Sequence, residues 1–200
     1  SIYVLGGLLT KSIPFLLLPY LTRMLGPSGY GELTYYQVFI LFIAIFVGMS
    51  QQAAITRYYY FYGKKSIGLI VSTGLIYSVL IISPLVMYSL VTKSLIIFYI
   101  SITALSQILL SVQLSLRQCQ KKTMEYLYIQ LTASGCSVIF TFVLFEIFNA
   151  TYQMRLLSIL GANLTAFAVG FISYKYKYNL RVNFNFKLRL TALAYLFSFG

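Results

Sequence analysis

Six stretches of this chain, roughly 2–25, 33–56, 66–91, 94–116, 125–148 and 154–174, run for about twenty residues or more with almost no charge, and only short connections separate them. An α-helix rises about 1.5 Å per residue, so about 20 apolar residues carry a helix across the ~30 Å hydrocarbon core of a bilayer. Hydrophobic residues make up 60% of the chain and charged residues 9%, against about 25% charged in soluble domains. The pattern predicts an all-α polytopic membrane protein with six transmembrane helices. Its short connections make successive helices antiparallel, and none can house a soluble domain.

A seventh apolar stretch begins near Leu190 and stops at Gly200. Its eleven residues rise only about 16 Å, too little to span. Ser1 opens almost directly into the first stretch, so both ends read as edges of a fragment. The expected organisation is a six-helix unit over 1–174, a basic linker over 175–189 and the truncated start of a further unit over 190–200. The first stretch is no signal peptide, because Lys11 interrupts it and no small-residue cleavage site follows.

Charge sets the expected orientation. Arg57, Lys64, Lys65, Arg117, Lys121, Lys122, Lys175, Lys177, Arg181, Lys187 and Arg189 fall in connections on one side, and only Arg23, Lys93 and Arg155 on the other. The positive-inside rule places the crowded side, and with it the N-terminus, in the cytoplasm. There is no Trp, so Tyr and Phe supply the interfacial belt, as in the run YKYKY at 174–178 with its snorkelling lysines. The net charge of +12 is spread between apolar runs and forms no stripe. Membrane topology accounts for it, and no nucleic-acid partner is expected.

The chain has no His and no Asp, and its acids are Glu32, Glu125 and Glu146. A serine triad, a His/Asp metal site and a paired-carboxylate glycosidase therefore lack their residues. Cys119 and Cys136 lie far apart with no CxxC spacing. No enzyme activity, metal or cofactor is expected.

Lys11 is the most informative single residue. It lies about halfway along the first stretch, where a cation costs some 2.5–3.5 kcal/mol on insertion scales and usually faces a bundle interior or wet cavity. The alternative is a span that starts later, with Lys11 snorkelling to the surface. Pro14 and Pro19 follow within two turns, and each removes a backbone hydrogen bond, which predicts a bent helix lining a path. Arg23 near the outer end reads equally as an end charge or a ligand contact. Arg57, among Tyr58, Tyr59, Tyr60 and Tyr62, reads as an anchor.

Uncharged polar residues recur inside the spans: Gln37, Gln51 and Gln52 in the second, Gln107 and Gln113 in the fourth. In the fifth, Gln130, Ser134, Ser137 and Thr141 fall on one helical face. Such a face can line a path for a hydroxylated cargo or glue helices together, and both readings stand. Ser158, Gly161, Ala162 and Thr165 in the sixth read as close packing. Two sequons begin at Asn149 and Asn163, and the second lies inside a span.

The run KSIPFLLLPYLTRMLGPSGYGE, followed by a second span closing in GMSQQAAITRYYY, resembles bacterial polysaccharide flippases of the multidrug/oligosaccharidyl-lipid/polysaccharide exporter superfamily. The O-antigen and capsule flippases are the nearest. The resemblance is specific over about residues 1–65 and beyond that rests on helix count and orientation. It implies twelve or more helices in two six-helix lobes around a central cavity, with 1–174 as the N-terminal lobe. It implies transport of an undecaprenyl-diphosphate-linked oligosaccharide from the cytoplasmic to the outer leaflet by alternating access, in the bacterial inner membrane. The partners would be that lipid-linked substrate, the bilayer and other polysaccharide-assembly membrane proteins. Lys11, Arg23, Gln51, Gln52 and Gln130 are the candidate cavity residues. Rival classes are a multidrug exporter of the same superfamily, which would want an acidic cation site, and a membrane-embedded glycan polymerase or acyltransferase, which would want a catalytic His or Asp or a large outer loop. A purely structural membrane protein would leave Lys11 an unexplained cost.

Overall fold

The structure, a computed structural model, describes residues 2–48, 51–62 and 67–175, and these residues are almost wholly helical with no strand. The helices are α1 (Ile2–Gly48), α2 (Gln51–Tyr62), α3 (Ile67–Val91), α4 (Leu95–Cys119), α5 (Thr123–Ile147) and α6 (Tyr152–Lys175). Five candidate spans are long and apolar enough to cross a bilayer, the first running from Phe15 to Phe61. The coarse expectation of an all-helical polytopic membrane protein holds. Nearly all of the linker expected over 175–189, and the stretch from Leu190, lie outside the described residues, and only Lys175 is seen, closing α6.

The Gly-Pro-Ser-Gly-Tyr-Gly segment, residues 26–31, joins the first two apolar stretches. It is not an open turn but helix on both sides of one residue, Gly26, whose φ of 69° and ψ of 174° break α1 into arms at 2–25 and 27–48. That backbone region is essentially open to glycine alone. Pro27 then opens the second arm, where its missing N–H removes nothing the helix would use. The backbone keeps helical angles through Pro14 and Pro19, so α1 breaks at the glycine and not at the prolines. In α3, Pro84 leaves the carbonyl of Leu80 without its helical donor. The Ser83 hydroxyl donates to that oxygen at 2.9 Å, which is how a proline survives in hydrocarbon.

The α3–α4 and α4–α5 connections are tight and alike. Lys93 (φ 51°) and Lys121 (φ 57°) take the left-handed position after each helix. The next amides close back, Ser94 N to Ser89 O at 3.1 Å and Lys122 N to Arg117 O at 3.0 Å. This is the Schellman arrangement, built on lysine where glycine is usual. It reverses the chain in a few residues and sets Arg117, at the end of α4, opposite Glu125, at the start of α5.

Helix α4 is central and packs against each of the others. Its Ile108, Val112 and Cys119 join Val47, Ala54, Ile55 and Ile82 in one core. Its Ile100 and Ala104 join Leu17, Leu21, Leu33, Ile40, Phe145 and Leu156 in a second. Large apolar side chains cover the exterior, Phe15 at 72% and Val91 at 80% exposed among them. Such a surface suits hydrocarbon and not water.

Because Gly26 has nothing within 4 Å of where a Cβ would stand, its constraint is purely conformational. Gly26→Ala should cost roughly 1–3 kcal/mol through backbone strain. Gly31, helical and equally uncrowded, should accept Ala without loss. Thermal unfolding of the two purified variants in detergent checks this, and equal midpoints would refute the strained kink.

Candidate functional site

Polar chemistry gathers in the seams between helices. Along α4, Thr103, Ser106, Gln113 and Arg117 are buried at spacings that keep them on one side of the helix, and three of them reach α6. Asn163 Nδ2 donates to Ser106 Oγ at 3.3 Å. Gln113 Nε2 donates to the Phe167 carbonyl at 3.4 Å. Arg117 Nη2 donates to the Gly170 carbonyl at 2.9 Å. The helices meet closely enough at Gly170 that a Cβ there would stand 2.5 Å from Gln113 Oε1.

Arg117 is 1% exposed, and its other terminal nitrogen meets Glu125 Oε2 at 2.5 Å. Lys122 Nζ lies 3.6 Å from Glu125 Oε1. One carboxylate thus bridges two cations and ties the end of α4 to the start of α5, while the guanidinium ties both to α6. Burying an arginine is offset where its charge is matched and its donors are used, and Arg117 has a carboxylate on one terminal nitrogen and a carbonyl on the other.

Arg155 makes a different site at the opposite end of the α5–α6 seam. It is 5% exposed. Nη1 faces Thr141 Oγ1 at 2.5 Å, Ser137 Oγ at 2.9 Å, Ser158 Oγ at 3.1 Å and the Ser137 carbonyl at 3.3 Å. The α5 face read from the sequence is real, and at Ser137 and Thr141 it serves an interhelical contact. Ser158, read as packing, joins the same cluster through Thr141 at 3.0 Å.

The candidate cavity residues are dispersed. Gln51 is buried where α1, α2 and α3 meet: its Nε2 donates to Ser78 Oγ at 2.6 Å and the Gly74 carbonyl at 2.9 Å, with the Val47 carbonyl at 3.4 Å. Gln52, beside it, is exposed. Gln130 is half-buried on α5, with its Oε1 buried and unpaired. Arg23 is exposed three residues before the kink. The backbone of Lys11 lies in the first arm of α1, and its side chain is outside the described residues. Arg57 stands over the Phe61 ring at 5.7 Å, as an interfacial anchor would. Asn163 is buried inside α6, so the second sequon is no glycosylation site.

Sequence reading missed the burial of Arg117 and Arg155, which it counted as connection charges. An arginine within a turn of a helix end looks the same whether it snorkels or turns inward. The available signals were Glu125, a rare acid just past the tight connection after Arg117, and the Ser/Thr face opposite Arg155.

A family model described as polysaccharide biosynthesis protein matches residues 1–200. The "Lsg locus putative protein 1" of Haemophilus influenzae is 43% identical over 175 residues, covering 87% of this chain and 44% of that protein. An "uncharacterized membrane protein" of the same organism is 40% identical over 201 residues, covering 100% of this chain and 50% of that protein. The chain therefore spans about half the length of these relatives. No solved structure matches it.

The Gly170–Gln113 contact yields a test of the seam. Gly170→Ala should destabilise by about 1–3 kcal/mol through overpacking. Shortening the opposing side chain by Gln113→Ala in the same molecule should relieve much of that loss. A double-mutant cycle on unfolding in detergent measures the coupling, and losses that add within about 0.5 kcal/mol would mean the two positions do not meet.

Proposed function

Because the chain belongs to the polysaccharide biosynthesis protein family, we propose that it is the N-terminal lobe of an inner-membrane flippase. It moves an undecaprenyl-diphosphate-linked oligosaccharide from the cytoplasmic to the outer leaflet by alternating access, without making or breaking covalent bonds. The observation that carries this reading is the family match over the entire chain. Coverage of about half of each relative supports a second helical lobe that completes the cavity. Other polysaccharide-assembly membrane proteins are the expected neighbours.

In this reading the lobe crosses the membrane six times, because each arm of α1 is a crossing. The arms, at 24 and 22 residues, rise about 36 and 33 Å. Packing supports opposite directions for them. Ile40 shares a core with Ile100 and Ala104, Val47 and Ile55 share one with Ile108 and Val112, and Thr56 meets Cys119. The second arm and α2 thus run alongside α4 in the same sense. In the first arm, Tyr20 packs on Phe142 and Phe145 near the end of α5. Since α5 runs back along α4, the first arm rises where the second descends.

Lys11 and Arg23 supply positive charge for the diphosphate, which in a low dielectric needs an opposite charge and strong donors. Gln52 and Gln130 offer amides for sugar hydroxyls, and Gln51 holds the wall on which Gln52 stands. The N-terminus is cytoplasmic in this arrangement. The burial of Arg117 leaves the charge asymmetry intact, since the end of α4 stays on the basic side.

Two experiments test the reading. A reporter active only in the cytoplasm should be active when fused after Lys65 or Lys122 and silent after Lys93 or Thr151, and the reverse pattern would overturn the orientation. In the full-length protein, Lys11→Gln should reduce export by about tenfold, the worth of a charge-assisted hydrogen bond, at undiminished membrane level. Lys11→Arg should keep part of it. Surface polysaccharide in a flippase-deficient host is the readout. Full export by Lys11→Gln would remove this residue from the path.

A further inference from the structure

We propose that Arg155 holds a phosphate oxyanion in the outer part of the α5–α6 seam. A guanidinium has five N–H donors and stays charged in proteins. In the Arg155 side chain the hydrogen bonds to described residues come from Nη1, to Ser137, Thr141 and Ser158. Nε is buried without a partner, and neither it nor Nη2 donates to any of the described residues. These two nitrogens form the edge that takes two oxygens of an anion side by side.

No acid of the described residues neutralises this charge. Glu125 is bound to Arg117 and Lys122. Glu146, the acid nearest in sequence, is exposed, and among the described residues neither it nor Glu32 forms an ion pair. The first turn of α6 contains no acid, so the positive end of the helix dipole adds to the field. A cation 95% buried on an apolar body, held by three hydroxyls and one carbonyl and by no carboxylate among the described residues, calls for an anion. Its position supplies one: Arg155 is the fourth residue of α6, about 5 Å of rise from the end of the helix. That depth is within reach of a phosphate at the membrane surface. The source is either the headgroup of an anionic bilayer lipid or a free diphosphate.

The test uses the intact protein in dodecyl maltoside, which contains no phosphate. Thermal unfolding is followed with added phosphatidylglycerol in one arm and inorganic pyrophosphate in the other. The wild type should gain stability from at least one probe. A response to the lipid alone identifies a bilayer headgroup, and a response to pyrophosphate alone a free diphosphate. Arg155→Gln should abolish the gain, and its starting midpoint should hold or rise because a buried charge has gone. Arg155→Lys keeps the charge without the paired edge and should bind about tenfold more weakly, which also covers the case in which the Gln variant does not fold. Lys11→Gln should respond as wild type does, so failure of the export reading leaves this site standing. Equal gains in wild type and Arg155→Gln would overturn the proposal. So would the absence of any gain in the wild type, including the case in which Arg155→Gln lowers the midpoint because a carboxylate elsewhere in the protein fills the site.

Discussion

Inside hydrocarbon there is no water to accept a hydrogen bond, so a polar group in this bundle left without a partner from the chain itself carries a cost. The constraint explains why α1 passes through two prolines and a glycine-rich segment as helix, giving way at one residue only. It explains why the Ser83 hydroxyl turns to the carbonyl that Pro84 strips of its donor. It also fits a body whose exterior carries many large apolar side chains while Gln51, Gln113, Arg117 and Arg155 are buried in the seams.

Helix α4 concentrates these effects. On one side it supplies aliphatic residues to both cores, and on another it presents the polar series that bonds α6. Dispersion alone would let apolar helices slide past each other in lipid, since lipid tails compete equally well for apolar surface. Directional bonds such as Asn163 to Ser106 and Arg117 to Gly170 set the register of α4 against α6. With Glu125 joining the start of α5 to Arg117, side-chain bonds tie these three helices together.

The two buried arginines show how context divides a single chemistry. Arg117 has a carboxylate and a carbonyl and is satisfied within the chain. Arg155 has hydroxyls and a carbonyl on one nitrogen only. Gln51, a candidate for the transport path by its position in the sequence, spends its amide hydrogens joining α1, α2 and α3. Polarity inside a span thus does not by itself distinguish glue from site; the partners do.

The membrane class and the rough limits of most of the apolar stretches could be read from the residues, because transfer of apolar side chains into lipid is a local property summed over about twenty positions. The family resemblance was likewise legible, in the KSIPFLLLPYLTRMLGPSGYGE run, and the family match covers the whole chain. The α5 face of Ser137 and Thr141 followed from helical spacing. Only the tertiary structure decided that α1 breaks at Gly26, that Gln51 is buried in a seam, and that Arg117 and Arg155 turn inward. Those outcomes depend on which helix lies across the seam, and a partner eight residues away, such as Glu125 for Arg117, or fifty-three away, such as Gly170, is not encoded in any local pattern.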